Sequence, residues 1–170
     1  MFKGADDLLA YVAAEGIETI DCRFCDLPGI MQHFTIPAQF LTPDIIEEGL
    51  SFDGSSIRGF QKIHESDMAL LPDLSSAYVD PFRKSKTLNM NWFVHDPITK
   101  EAYSRDPRNI ARKAEEYLKS TGIGDTAYFG PEPEFYVFDS VEWSVDMSGC
   151  ALKIYSAEAA WTSGEKSEGG

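Results

Sequence analysis

Cysteine is scarce, with 3 in 170 residues, and an odd number leaves no complete set of pairs for a disulfide-stapled secreted scaffold. Cys22 and Cys25 form a C-x-x-C, but residues 18–26 read as strand, where an odd offset sends the two thiols to opposite faces. No second ligand pair stands at zinc-site spacing, so reduced thiols are the better reading. Long apolar runs are missing too: nothing approaches the roughly 18 residues that a membrane-spanning helix needs. The opening Met1-Phe2-Lys3-Gly4-Ala5-Asp6-Asp7 leads into an acidic amphipathic helix, unlike a signal peptide. A cytoplasmic protein without membrane association is expected. Positive charge is in short supply, 15 Lys and Arg against 28 Asp and Glu for a formal net charge of -13. Such a chain repels nucleic acid and anionic lipid, and neither is expected as a partner. No Gly-x-x-x-x-Gly-Lys-Ser/Thr phosphate cradle occurs. His33, His64 and His95 are scattered, none at ligand spacing with another, and read as structural.

What is present suits a folded core: 43% hydrophobic residues, with 11 Phe, 7 Tyr and 3 Trp. Residues 5–15 place Leu8, Leu9, Val12 and Ala13 on one helical face, and Gly16 follows as a cap. Residues 18–26 and 30–36 read as a hairpin around Leu27-Pro28-Gly29. A short acidic helix over 44–48 ends at Gly49. Residues 51–60 fit neither period and read as a loop, with Ser55, Ser56 and Arg58 among the apolar Phe52, Ile57 and Phe60. It serves as a plain connection or as a surface that docks against another subunit. Strand-like runs return over 68–71, 77–79 and 87–95, which with the hairpin make a small mixed sheet. Asp106 can cap a helix starting at Pro107, with an apolar stripe of Ile110, Ala111, Ala114, Tyr117 and Leu118, ion pairs Arg112–Glu116 and Glu115–Lys119, and Gly122 at its end. Residues 141–146 and 150–155 read as further extended pieces around Ser148-Gly149, and residues 161–170 as the start of a polar loop.

The stretch that obeys local rules least is Phe129-Gly130-Pro131-Glu132-Pro133-Glu134-Phe135-Tyr136-Val137-Phe138. Its second half has strand composition, while its first half holds two prolines and two glutamates that sheets usually avoid. In a strand Glu132 and Glu134 would share one face and form a paired-carboxylate ledge. Two neighbouring oxygen donors suit a hard divalent cation such as Mg2+ or Mn2+. A solvated glutamate pair on an exposed face is the alternative reading.

Four strings together, Phe52-Asp53-Gly54-Ser55-Ser56, Glu65-Ser66-Asp67-Met68, Ser104-Arg105-Asp106-Pro107-Arg108 and Phe129-Gly130-Pro131-Glu132-Pro133-Glu134-Phe135, resemble type I bacterial glutamine synthetases in order and approximate spacing. The resemblance covers essentially the whole chain but only the family's N-terminal third or so, as in a truncated product or fragment. It implies an α+β fold: a β-grasp domain over residues 1–103, then the opening of the catalytic domain over residues 104–170. It implies ATP-dependent ligation of ammonia to the glutamate side-chain carboxylate through γ-glutamyl phosphate, in an assembly of two stacked hexamers. By matching position, Asp53 would bind ammonium and help deprotonate it at the neighbouring subunit's site, Ser56 would line that site, and Glu132 and Glu134 would each hold a divalent metal. The family's later metal ligands, nucleotide-binding arginines and flap glutamate have no counterpart here, so this chain alone is expected to be inactive. A related γ-glutamyl-amine ligase, a non-catalytic truncated subunit and a β-grasp interaction module remain as alternatives.

Overall fold

The computed structural model describes residues 2–63 and 66–164; His64 and Glu65, and with them the reading of that histidine and its glutamate neighbour, lie outside. By packing the chain divides into two compact units, Met1–Ala127 and Tyr128–Gly170.

The first unit opens with helix α1 (Ala5–Ala14), whose Leu8 and Val12 are buried at the expected one-turn spacing. The hairpin forms as the turn residues require: β1 (Thr19–Cys25) pairs antiparallel with β2 (Met31–Pro37). Inside the turn, Asp26 is buried and accepts from Ile30 N at 2.7 Å and Gln32 Nε2 at 2.9 Å. Helix α2 (Pro43–Glu48) is capped by Thr42, whose side chain accepts from Ile45 N, and ends at Gly49. Gly49 has φ of 92° and its missing Cβ would lie 2.6 Å from the Leu70 carbonyl oxygen, so two independent constraints demand glycine there. Strands β3 (Leu50–Asp53), β4 (Asp67–Pro72), β5 (Tyr78–Val79) and β6 (Thr87–His95) complete a six-stranded sheet of order β2-β1-β6-β4-β3, with β5 on β6. Only β1 and β6 run parallel among these pairs.

β3 corrects the sequence reading, which placed the whole of 51–60 in a loop. Leu50–Asp53 alternates half-buried and exposed residues at the sheet edge and pairs with β4. Four residues with one polar face carry too little apolar alternation to be read as strand. Cys22 is buried and Cys25 half-buried, as alternation along β1 requires.

The core joins α1 and α2 to one sheet face through Leu8, Ile20, Phe24, Ile46, Met68, Leu70, Leu88, Met90, Trp92 and Val94. The other face of β1 carries polar chemistry. Asp21, fully buried, accepts from Arg23 Nε at 2.7 Å, His33 Nδ1 at 2.7 Å and Thr35 Oγ1 at 3.1 Å. Burial pushes its carboxyl upward, but those hydrogen bonds more than offset it and hold Asp21 below the usual carboxylate range.

Helix α3 (Pro107–Thr121) starts and stops where Asp106 and Gly122 place it. Asp106 Oδ1 accepts from Arg108 N while its Oδ2 reaches back to Val94 N at 2.9 Å, and Asn109 Nδ2 donates to Val94 O. The start of α3 is thereby tied to β6. Burial raises the Asp106 carboxyl despite these donors. The apolar stripe is left uncovered, with Ile110 49% and Tyr117 72% exposed. Glu115 and Lys119 pair at 2.8 Å. The expected Arg112–Glu116 pair does not form; Arg112 lies over the Phe93 ring and donates to Asn109 Oδ1 instead.

In the second unit β7 (Ser140–Asp146) and β8 (Gly149–Tyr155) form an antiparallel hairpin, followed by a short helical turn α4 (Ala160–Ser163) where a loop was expected. Cross-strand register pairs Val141 with Ile154, Trp143 with Leu152 and Val145 with Cys150, giving one apolar face. That face stays open: Trp143 is 73% and Val145 79% exposed.

Candidate active site

Asp53 ends β3, and the three residues after it turn back at once as a single 3-10 turn, Gly54–Ser56. The turn is set by the aspartate itself. Asp53 Oδ1 accepts from Ser55 N at 2.9 Å and Ser55 Oγ at 2.6 Å, and Oδ2 accepts from Ser56 Oγ at 2.8 Å. Both oxygens are oriented while the side chain stays in solvent. The Ser55 hydroxyl first, then those of Ser56 and the backbone donors, hold the carboxyl below its ordinary range. Asp53 is thus an ionised, exposed and pre-oriented group, able to attract a cation.

Between the aspartate and its serines, Gly54 is buried and donates its N–H to Ser66 O at 2.7 Å. A Cβ there would meet Met68 Sδ at 2.4 Å, so glycine lets the turn lie flat on β4. Further along, Ile57 N and Gln61 N both donate to Gly54 O, and Phe60 N donates to Ile57 O. Phe60 is buried against Tyr103 with ring centroids 5.2 Å apart, and Tyr103 Oη donates to Phe60 O. Arg105 Nη1 donates to both Gly59 O and Phe60 O. The string 104–108 thus reaches the loop just beyond the string 52–56, at Gly59 and Phe60. The sequence marked Asp53 and Ser56 as site residues but not Ser55, Tyr103 or Arg105; the signal for Arg105 was its place in one of the four strings.

Glu132 and Glu134 belong to the second unit. The strand expected after them does not form: residues 126–138 have no regular secondary structure, and both glutamates are exposed. Pro131 and Pro133 offer no N–H, and among the described residues no strand pairs with the segment, so its aromatic composition has no ladder to join. Phe135 is 81% and Tyr136 87% exposed, and Tyr136 stacks on Phe138. The same-face alternation of the two carboxylates is accordingly not imposed. Among the described residues neither carboxylate makes a hydrogen bond or ion pair, and no three His, Cys, Asp or Glu side chains gather as a metal cage. Two exposed oxygen donors fit a hard divalent cation that keeps waters and substrate oxygens in its shell. No helix among the described residues is long and apolar enough to cross a membrane.

The comparisons with known proteins address the whole chain. Residues 16–97 match the family described as glutamine synthetase, beta-Grasp domain, and residues 104–168 match glutamine synthetase, catalytic domain. The chain belongs to the glutamine synthetase family. Its fold is accordingly α+β, a β-grasp domain followed by the start of the catalytic domain. A glutamine synthetase of Frankia alni is 62% identical over 170 residues, all of this chain and 36% of that protein. A protein of Cupriavidus pinatubonensis named 3-hydroxylaminophenol mutase is 47% identical over the same 170 residues, again 36% of its length. Among solved structures, the glutamine synthetase of Plasmodium falciparum superimposes with a TM-score of 0.72 at 26% identity, over 92% of this chain and 30% of that one. The chain thus spans about a third of the length of the relatives it matches.

Proposed function

We propose that these residues are the N-terminal part of a type I glutamate–ammonia ligase, which activates the glutamate side-chain carboxylate with ATP as γ-glutamyl phosphate and lets ammonia displace the phosphate. The observation that carries the reading is Asp53: an exposed carboxylate kept ionised by three neighbouring donors, inside a chain whose two consecutive parts match this family in order. In this reading Asp53 attracts the ammonium ion and takes up its proton once the closed site removes water around it, with Ser56 beside it. Because the donors favour the carboxylate form, cation binding comes first and proton acceptance follows. Glu132 and Glu134 are the residues that would hold Mg2+ or Mn2+. A cation there would neutralise charge on the transferring phosphoryl group.

The boundary between the β-grasp and catalytic parts is placed at Tyr103, which leaves α3 to open the catalytic domain while remaining tied to β6. The Asp53 turn, at the sheet edge and facing solvent, would complete the neighbouring subunit's site in a ring, with two stacked hexamers as the assembly and the cytoplasm as the compartment. The relative named as a mutase puts weight on substrate identity, which the remaining two-thirds of such proteins would set.

The test is a fusion of these 170 residues to the remaining two-thirds of the Frankia alni protein. ATP-, ammonium- and Mg2+-dependent glutamine formation is expected, with Asp53→Asn raising the ammonium requirement and Glu132→Gln or Glu134→Gln raising the metal requirement, each by at least about tenfold. Preference for a larger amine over ammonium would instead favour the γ-glutamyl-amine ligase. No ligation by a folded, assembled fusion would overturn the reading.

A further inference from the structure

Asp53 is oriented by its own turn, but that turn is the near end of a longer hairpin-like excursion whose far end is held by something else. Gly59 and Phe60 present their carbonyl oxygens to a single nitrogen, Arg105 Nη1, at 3.1 and 2.8 Å, and Phe60 O also accepts from Tyr103 Oη at 2.9 Å. Three donated hydrogen bonds thus converge on two adjacent carbonyls, from a segment more than 40 residues away in sequence. Local hydrogen bonds lead from this end back to Gly54, the residue next to Asp53: Phe60 N to Ile57 O, Ile57 N and Gln61 N to Gly54 O, with Gly54 N in turn on Ser66 O. Ser55, which supplies two of the donors on Asp53, directly follows Gly54 in the chain.

We infer that Arg105, assisted by Tyr103, is a positioning residue for Asp53: its guanidinium clamps the far end of the 54–60 excursion and thereby fixes the turn whose serines orient the carboxylate. This deepens the proposed ligase reading and rests on it for the meaning of Asp53, while the clamp itself is a property of the chain alone. The arrangement needs arginine. One guanidinium nitrogen has two fixed hydrogens for two carbonyls, whereas lysine offers a rotating point charge and glutamine a shorter arm. It also couples the connector that leads into α3 to the residue that would meet ammonium, so movement of α3's approach segment would be felt at Asp53.

The experiment uses the 170-residue chain with Arg105→Gln, Arg105→Lys and Tyr103→Phe. Amide hydrogen exchange is read at Gly54, Ile57, Phe60 and Gln61, and the titration of the Asp53 carboxyl carbon by NMR. Loss of two donated bonds in Arg105→Gln should speed exchange at these four amides about tenfold. Amides of β1 and β6 should stay at the parent rate, which shows that each variant is folded. The Asp53 titration should move up toward the ordinary carboxylate range, a change that a merely structural tie distant from the turn would not produce. Arg105→Lys should restore part of both effects, and Tyr103→Phe should give a smaller shift in the same direction. Unchanged exchange at 54–61, or faster exchange with an unmoved Asp53 titration, would overturn the inference. None of these readouts depends on ligase activity, so a failure of the clamp is distinguishable from a failure of the functional reading.

Discussion

Residues 2–127 are poorer in aromatic residues than residues 128–164, yet bury more of them. In the first, Trp92, Leu70 and Val94 are fully buried between helices and sheet. In the second, Trp143, Phe135 and Tyr136 stand more than two-thirds in solvent, and Trp143, Val145 and Leu152 on the hairpin's apolar face are exposed. Apolar content therefore does not explain the difference. Layering does: a sheet with helices on one face buries its apolar side, whereas two strands alone cannot. An exposed apolar face of this kind is where association or aggregation starts.

The comparison is sharpened most by truncating one tryptophan in each region. Trp92→Ala should destabilise the first unit by about 3–5 kcal/mol, through lost burial and an unfilled cavity. Trp143→Ala should leave the urea midpoint of that unit unchanged and lower binding of a hydrophobic dye; equal losses from the two substitutions would erase the contrast.

Next in size is the buried carboxylate. Asp21→Asn should cost about 1–3 kcal/mol, since Arg23 Nε loses its charged acceptor while its Nη atoms keep Tyr78 and Asp80. Its folded pKa lies below the unfolded value, so its stabilisation is present above roughly pH 4 and is lost as pH falls through the folded pKa. Asp106 has the opposite sign. Its folded pKa is raised, so its contribution is greatest below roughly pH 4 and is lost as pH rises through the folded pKa. Urea midpoints followed with pH should therefore fall more gently at acid pH in Asp21→Asn than in the parent, while Asp106→Asn should decline less above roughly pH 4.

Gly49→Ala is expected to cost at least about 1–3 kcal/mol from the left-handed backbone alone, with the collision on Leu70 O adding to it. A midpoint within error of the parent would show that the junction of α2 and β3 gives way locally without cost to the sheet. The smallest effect on stability falls in the turn: Ser55→Ala should leave the midpoint nearly unchanged yet raise the Asp53 titration toward the ordinary range, because the first of its donors is gone.

Much of the first unit was legible in the chain because its signals are local. Pro28-Gly29 turns the first hairpin, Asp106 and Gly122 bound α3, and β6 runs over the nine residues expected. β3 was missed because an edge strand of four residues carries little alternation. The strand after Glu134 was expected from aromatic content, yet strands are made by partners, and Pro131 and Pro133 withhold donors where none is available. At the candidate site, Asp53 and Ser56 could be named from their string, while the grip of Arg105 on the Gly59 and Phe60 carbonyls could not.

By itself, then, the sequence determined which segments turn, cap and coil, that the chain is acidic, and which family it resembles, because each of these is written in neighbouring residues. Only the tertiary structure decided which aromatic residues found cover, that Asp21 sits buried among its donors, and that the Asp53 turn is held from the approach to α3. Those outcomes depend on groups far apart in the chain coming within hydrogen-bonding or van der Waals range, and no local pattern encodes that distance.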